Sequence, residues 1–288
     1  MDGRHVRHDL AWPVVAFLLA ALGWRAANTS LAIALAAFAP ATIYAAVVAI
    51  LDRREPVPMI LRIAAFLWGA VIAASIASTL NGVLQAGAAQ LHAGAAVTAL
   101  IPQLGAPVVE ELAKGMGLVV LVIVWPQRAA VARRGVVDGA LIGLGFAMSE
   151  NLLYLTMATL QGGYAGLLRG TYLRATVYGA NHAVFTATTG AALGYARTMT
   201  SRRRAAIVLL VGFAAAVALH VLWNTVVSDA IGRMLCAAPA ADAACRNPPP
   251  PWMLYVTVPL MVTLFIGPCV AALLAIAART RGGCPAEV

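Results

Sequence analysis

Six side chains capable of acid–base chemistry lie inside apolar stretches of this chain, where each is expensive to keep. "APVVEELAKGMGLVVLVIVW" (106–125) places Glu110, Glu111 and Lys114 in a segment that otherwise reads as membrane-spanning. "GFAMSENLLY" (145–154) adds Glu150 and Asn151, "GANHAVF" (179–185) adds Asn181 and His182, and "LHVLWN" (219–224) adds His220 and Asn224. A charge near the bilayer centre costs at least ~2.5–3.5 kcal/mol on an insertion scale, so these groups must offset one another or serve a function. Glu110 and Lys114 are i and i+4, and Glu111 and Lys114 are i and i+3, so the ammonium reaches either carboxylate on a helix. The two glutamates point about 100° apart. One can face a small cavity while the other holds Lys114 or a neighbouring helix. A buried carboxylate held beside a lysine has the chemistry of a general base. His182 or His220 alone reads equally well as a satisfied core histidine. Together with three glutamates, a lysine and asparagines, they favour a functional site over a packing network.

The elements that must position these residues are membrane helices. Of the 288 residues, 62% are hydrophobic and 11% charged, and the mean hydropathy is +0.86. A soluble domain has roughly 45–50% apolar and about 25% charged residues, so the chain reads as an integral membrane protein. The net charge of +9 resides in arginines of short loops, which speaks for membrane orientation and against nucleic-acid binding. Eight candidate spans lie near 10–24, 31–51, 63–84, 104–125, 136–160, 175–196, 205–228 and 253–278. That predicts a single all-α polytopic bundle over 1–288. The first span, short and preceded by Arg4 and Arg7, reads as an uncleaved anchor rather than a signal peptide.

With the N-terminus inside, fourteen arginines fall on the inner side. Five (Arg25, Arg169, Arg174, Arg233 and Arg246) fall on the outer. Both termini are therefore expected in the cytoplasm. Cys236 and Cys245 then share an outer loop that permits a disulfide, and "NPPPPW" (247–252) is a stiff lead into the last span. Pro102 and Pro107 are expected to break or kink the chain before the glutamates. The small-residue pairs Gly139/Gly143 and Gly190/Gly194 suggest close helix contacts. At 1.5 Å per residue, Glu110 lies ~9 Å, Lys114 ~15 Å, Glu150 ~15 Å, His182 ~10 Å and His220 ~12 Å below the outer ends of their spans. Four helices thus bring their polar groups to one layer.

The polar blocks also resemble a known family. "EELAK" (110–114), "FAMSEN" (146–151, opening on Phe146), "NHAVF" (181–185) and "HVLWN" (220–224) are similar to the four conserved blocks of the PrsW intramembrane proteases. "LDRREPVPMILR" (51–62) resembles that family's inner loop. The resemblance runs in order over 44–228, with the span at 253–278 additional. The family is similar to the CAAX-processing and bacteriocin-protection proteases and, more distantly, to a subunit of gamma-secretase. One departure stands out: the phenylalanine block of the CAAX-type relatives ends in histidine, whereas here it ends in Glu150.

The resemblance implies a multi-pass protease of a bacterial-type cell membrane. It would cut a single-span, anti-sigma-factor-like membrane protein near the outer interface. The expected catalytic set is Glu110 or Glu111 as base, with His220 and Asn224 donating to the oxyanion and Glu150 and His182 placing the water or protonating the leaving amine. Lys114, Phe146, Asn151 and Asn181 would support them. No cofactor is required by this scheme, but a zinc-dependent version would use Glu110, Glu150, His182 and His220 as ligands. A proton-relay transporter and a non-catalytic scaffold are the rival classes.

Overall fold

The computed structural model describes residues 3–52, 57–125, 132–235 and 250–279, with side chains from residue 12 onward. Its secondary structure is wholly helical among the described residues, as a chain that must satisfy its backbone inside hydrocarbon requires. α1 (Gly3–Ala27) leads to α2 (Leu31–Leu51), which is capped by the Ser30 hydroxyl accepting from the Ile33 amide. α3 (Met59–Leu67) runs through a π-helical turn (Trp68–Ala73) into α4 (Ala74–Gln90). α5 (Ala95–Leu100), a π turn (Ile101–Gly105) and α6 (Ala106–Val124) form one run. α7 (Ala132–Gly170) continues into a π turn (Thr171–Val177) and, after a short bend, α8 (Asn181–Ala196). α9 (Arg202–Leu222), a π turn (Trp223–Val227) and α10 (Ser228–Met234) follow. A last π turn (Met253–Thr257) opens α11 (Val258–Arg279).

Among the described residues, five stretches are long and apolar enough to cross a membrane: Leu31–Leu51, Met59–Gln90, Ala132–Ala196, Arg202–Met234 and Met253–Arg279. Six of the eight expected spans lie in these stretches, so the full count of eight stays an expectation. The first is a shorter apolar segment, Trp12–Ala27. The fourth, α6, carries three charged residues. The fifth and sixth lie in one helical run, Ala132–Ala196. That run folds back on itself at Gly163, whose φ of 58° and ψ of −143° suit glycine alone. Pro102 does not break the chain either. It sits in the π turn before α6, where the widened ring absorbs its missing N–H and the helix continues. Cys236 and Cys245 lie outside the described residues, and Cys269 in α11 is a free, half-buried thiol.

The Ala132–Ala196 run is the hub: 78% of its most apolar window is buried within the protein, against 11% for Arg202–Met234. α7 and α8 pack antiparallel and backbone to backbone. A Cβ on Gly135 or Gly190 would overlap the other's carbonyl, and one on Gly143 would overlap that of His182. Only glycine permits this approach. It brings the start of α8, with its histidine, onto the middle of α7. The expected role of Gly139, Gly143 and Gly190 as contact residues is thus met, Gly139 lying against the Thr186 carbonyl.

Candidate active site

Four helices and one π turn deliver the polar side chains to a common centre. On α6, Glu111 and Lys114 share an inward stripe with Glu110 beside it, and the helix is pinned by the Trp68 indole donating to the Ala113 carbonyl (3.1 Å). The Lys114 ammonium donates to Glu111 Oε1 (2.6 Å), lies 3.8 Å from Glu110 Oε2 and 3.2 Å from His182 Nδ1. It also stands 4.3 Å over the ring of Phe146, a cation–π contact that covers its apolar side. From α8, His182 Nε2 meets Glu150 Oε2 of α7 at 2.8 Å. From α9, His220 Nδ1 meets Glu111 Oε1 at 3.0 Å, which leaves Nε2 turned to Glu110 Oε2 at 3.7 Å. The expected acid–base residues therefore all belong to one chain of contacts: Glu110, His220, Glu111, Lys114, His182, Glu150.

The two adjacent glutamates have separate environments. Glu111 accepts from Lys114 and Thr186 (Oγ1 to Oε2, 3.2 Å) and pairs with His220. It is fully used. Glu110 Oε2 is buried and has no hydrogen-bond partner among the described residues. The 100° separation of consecutive helical residues produces this division, one carboxylate braced and its neighbour turned to the histidine. Exposure falls inward, from 24% for the Arg174 side chain and 18% for Glu150 to none for Lys114 and Glu111. The chain of groups thus opens at its Glu150 end and is sealed at its lysine.

Two residues join that the sequence reading missed. Arg174, assigned there to the outer side as a loop cation, is half-buried in the site's mouth. It donates to Glu150 Oε2 (2.8 Å) and lies over the ring of Tyr154 (3.7 Å to the centroid). The fold-back at Gly163 and the π turn Thr171–Val177 carry it there. Its only sequence signal was being an arginine at a span edge on the arginine-poor side. Thr186 stands one turn after His182 on α8, a spacing that could have singled it out. Asn224 is the opposite case. The π turn begins at Trp223 and widens the helix just after His220, so the i+4 relation no longer aligns the pair. Its amide donates to the Pro102 carbonyl (3.3 Å) on the exposed side instead. Asn151 is buried on α7. Asn181 is buried with both amide atoms lacking a hydrogen-bond partner among the described residues. It lies one turn before Phe185, which stacks on the His220 ring at 4.9 Å.

A family model for the PrsW family intramembrane metalloproteases matches residues 57–267. The chain belongs to this family. Membership makes it an intramembrane protease and a multi-pass membrane protein. No curated protein and no solved structure gives a match. The PrsW description names a metalloprotease, and the donor set bears comparison with that. Glu110, His182 and His220 each offer one ligand atom within 4.8 Å of the others, a His₂Glu set of the type found in catalytic zinc sites. Each histidine leans on a carboxylate, His220 on Glu111 and His182 on Glu150, the usual outer support of metal-bound imidazoles. The partnerless oxygen of Glu110 completes the fit. Glu150, expected as a fourth ligand, lies in the outer support instead. The competing cation is Lys114, 3.2 Å from one ring of this set.

Proposed function

We propose that this PrsW protein is an endopeptidase that cuts a single-span membrane protein, anti-sigma-factor-like in topology, near the outer interface. The reading places both termini in the cytoplasm and treats 1–288 as one membrane domain. The observation that carries it is the buried Glu110 oxygen, unpartnered and facing His220, inside a cluster whose other carboxylates are all engaged. Glu110 takes a proton from water, and the water oxygen attacks the scissile carbonyl carbon. His220 and the amide of Asn181 donate to the oxygen that becomes negative. Asn181 takes this role from Asn224, which is committed to Pro102. As the carbon–nitrogen bond breaks, the proton held by Glu110 passes to the leaving amine, leaving a carboxyl terminus and a free amine. Lys114 and Glu111 hold Glu110 and His220 in place, and Phe146 walls the lysine.

A metal-dependent version is favoured by the mutual approach of Glu110, His182 and His220. Those three would hold a zinc ion, which would supply Lewis-acid polarisation of the carbonyl and of water.

The test is cleavage of a single-span substrate by the purified full chain in lipid vesicles. Glu110→Gln should lower the rate by about 10²–10⁴-fold, the range for general-base loss. Abundant cleavage by the Glu110→Gln, Glu111→Gln double variant would refute the scheme. Loss of activity on dialysis against phenanthroline, restored by zinc, would select the metal version, and unchanged activity in metal-free protein the purely glutamic one.

A further inference from the structure

α4 carries a polar side chain that the packing of the bundle leaves unsatisfied. Asn81 is half-buried, and its Oδ1 is buried without a hydrogen-bond partner among the described residues. The hydroxyls of Ser75, Thr156 and Thr159 avoid that state by donating to the carbonyl four residues back in their own helix. An amide oxygen has no proton to donate, so Asn81 Oδ1 cannot use that route. An unpaired acceptor is costly in hydrocarbon, and a polar residue kept there points to a function. Asn81 lies nine residues before the end of α4 at Gln90, ~14 Å below it, the depth of the acid–base cluster. Two contacts fix its level against α6. Ala77 packs with Ala113, and a Cβ on Gly105 would lie 3.8 Å from Leu84. The two helices run antiparallel, so Asn81 stands level with Val109, next to Glu110.

A gap opens beside Asn81, between α4 and α7. At its floor the two helices meet, where Ala73 and Ala77 pack with Phe146, which is 3% exposed. Leu153 and Met157 follow Phe146 at i+7 and i+11 on the same face of α7, yet they are 58% and 50% exposed. On α4, Asn81 and Leu84 follow Ala77 at i+4 and i+7, and exposure rises in the same way, to 42% at Leu84. The helices therefore part toward the outer side. Glu150 stands one turn above Phe146 on α7, so the open end of the acid–base cluster gives onto this gap. A peptide bond inside a helix is hydrogen-bonded and wrapped by side chains, so a span must unwind locally before Glu110 and water can reach it. Each N–H and C=O freed in hydrocarbon then needs a partner. A primary amide offers a donor and an acceptor, which match the C=O and N–H of an extended backbone.

We infer that the substrate's span enters sideways between α4 and α7 and that Asn81 binds its unwound backbone beside the scissile bond, Oδ1 accepting a substrate N–H and Nδ2 donating to a substrate carbonyl. This rests on the proteolytic reading of the cluster. Leu84, Leu153 and Met157 form apolar walls for the flanking side chains. The substrate class that fits is a span whose helix is weakened by glycine or proline near its outer end, where unwinding costs least.

The experiment uses the full chain in lipid vesicles with a synthetic single-span peptide, about twenty apolar residues long with a Gly-Pro pair in its outer third. Benzoylphenylalanine placed at Leu84 or Met157 should photo-cross-link the peptide, and placed at Leu264, exposed on α11, should not. Cross-linking is read in the Glu110→Gln background, so it does not depend on cleavage. Asn81→Leu should raise KM for cleavage by roughly 2–10-fold with kcat little changed. Its Tm should be equal or higher, because an apolar side chain removes an unpaired acceptor. Asn81→Gln should recover part of the lost binding. An unchanged KM in Asn81→Leu would overturn the inference, and a fallen Tm with it would make Asn81 a packing residue. Cross-linking from Leu264 in place of Leu84 and Met157 would overturn it too, with cleavage intact. Cross-linking at both walls to a peptide that the wild-type protein never cleaves would uphold the entry route and refute the proteolytic reading.

Discussion

Two glutamates that are neighbours in the chain end in unlike positions, and that difference should appear in two separate measurements. Glu111 is held by Lys114, Thr186 and His220, so Glu111→Gln removes a buried partner of a fully buried ammonium. Breaking such a pair costs about 3–5 kcal/mol, and thermal unfolding in detergent should show a large drop in Tm. Glu110 has a partnerless oxygen and holds nothing at hydrogen-bond distance through it. Glu110→Gln should therefore leave Tm nearly unchanged while cleavage collapses. If the two variants behave alike in both measurements, the division between base and brace is wrong. Arg174 makes a third case at this scale. It touches Glu150 and no proposed reacting atom, so it acts by positioning. Arg174→Lys keeps the charge but not the fork, and should lower kcat with KM little altered. Arg174→Met should lower it further. A rate equal to wild type in both would remove Arg174 from the site.

At the scale of elements, the polar layer depends on features that break regular helical spacing. The fold-back at Gly163 returns the chain so that Arg174 reaches Glu150. Its backbone lies in a region where a side chain costs about 1–3 kcal/mol. Gly163→Ala should therefore destabilise the protein by that amount and slow cleavage beyond what the stability loss explains, as read by paired Tm and rate measurements. The π turn after His220 explains why an i, i+4 reading of His220 and Asn224 failed. Extrapolating α periodicity through a widened turn places the second residue on the wrong side. The contact of α7 with α8 makes the converse point. Gly143 allows the His182 carbonyl to approach its backbone, so Gly143→Val should displace that histidine and cost about 1–3 kcal/mol by overpacking. Intact activity in a stably folded Gly143→Val protein would show that His182 needs no such placement.

For the whole molecule, the proposed orientation rests on the arginine distribution, and accessibility tests it. A cysteine placed at Thr200, an exposed position in the turn between α8 and α9, should react with an impermeant thiol reagent only from the cytoplasmic side, and one at Gly94 only from the outer side. The reverse pattern would invert the membrane topology and place cleavage at the other interface. Composition and periodicity alone determined the helical membrane class, and EELAK, FAMSEN, NHAVF and HVLWN determined the family and the acid–base residues of the cluster other than Arg174, because costly groups in apolar runs are conspicuous. Two expected spans, 136–160 and 175–196, lie in the hub Ala132–Ala196, but hydropathy did not place its turn at Gly163. Nor could the sequence say which glutamate is braced, that Arg174 belongs with Glu150, or that Asn224 turns to Pro102. Those were decided by tertiary structure. A helix's own spacing sets which side chains share a face, but which partner meets that face depends on where glycine contacts, a reversal and π turns bring other segments of the chain.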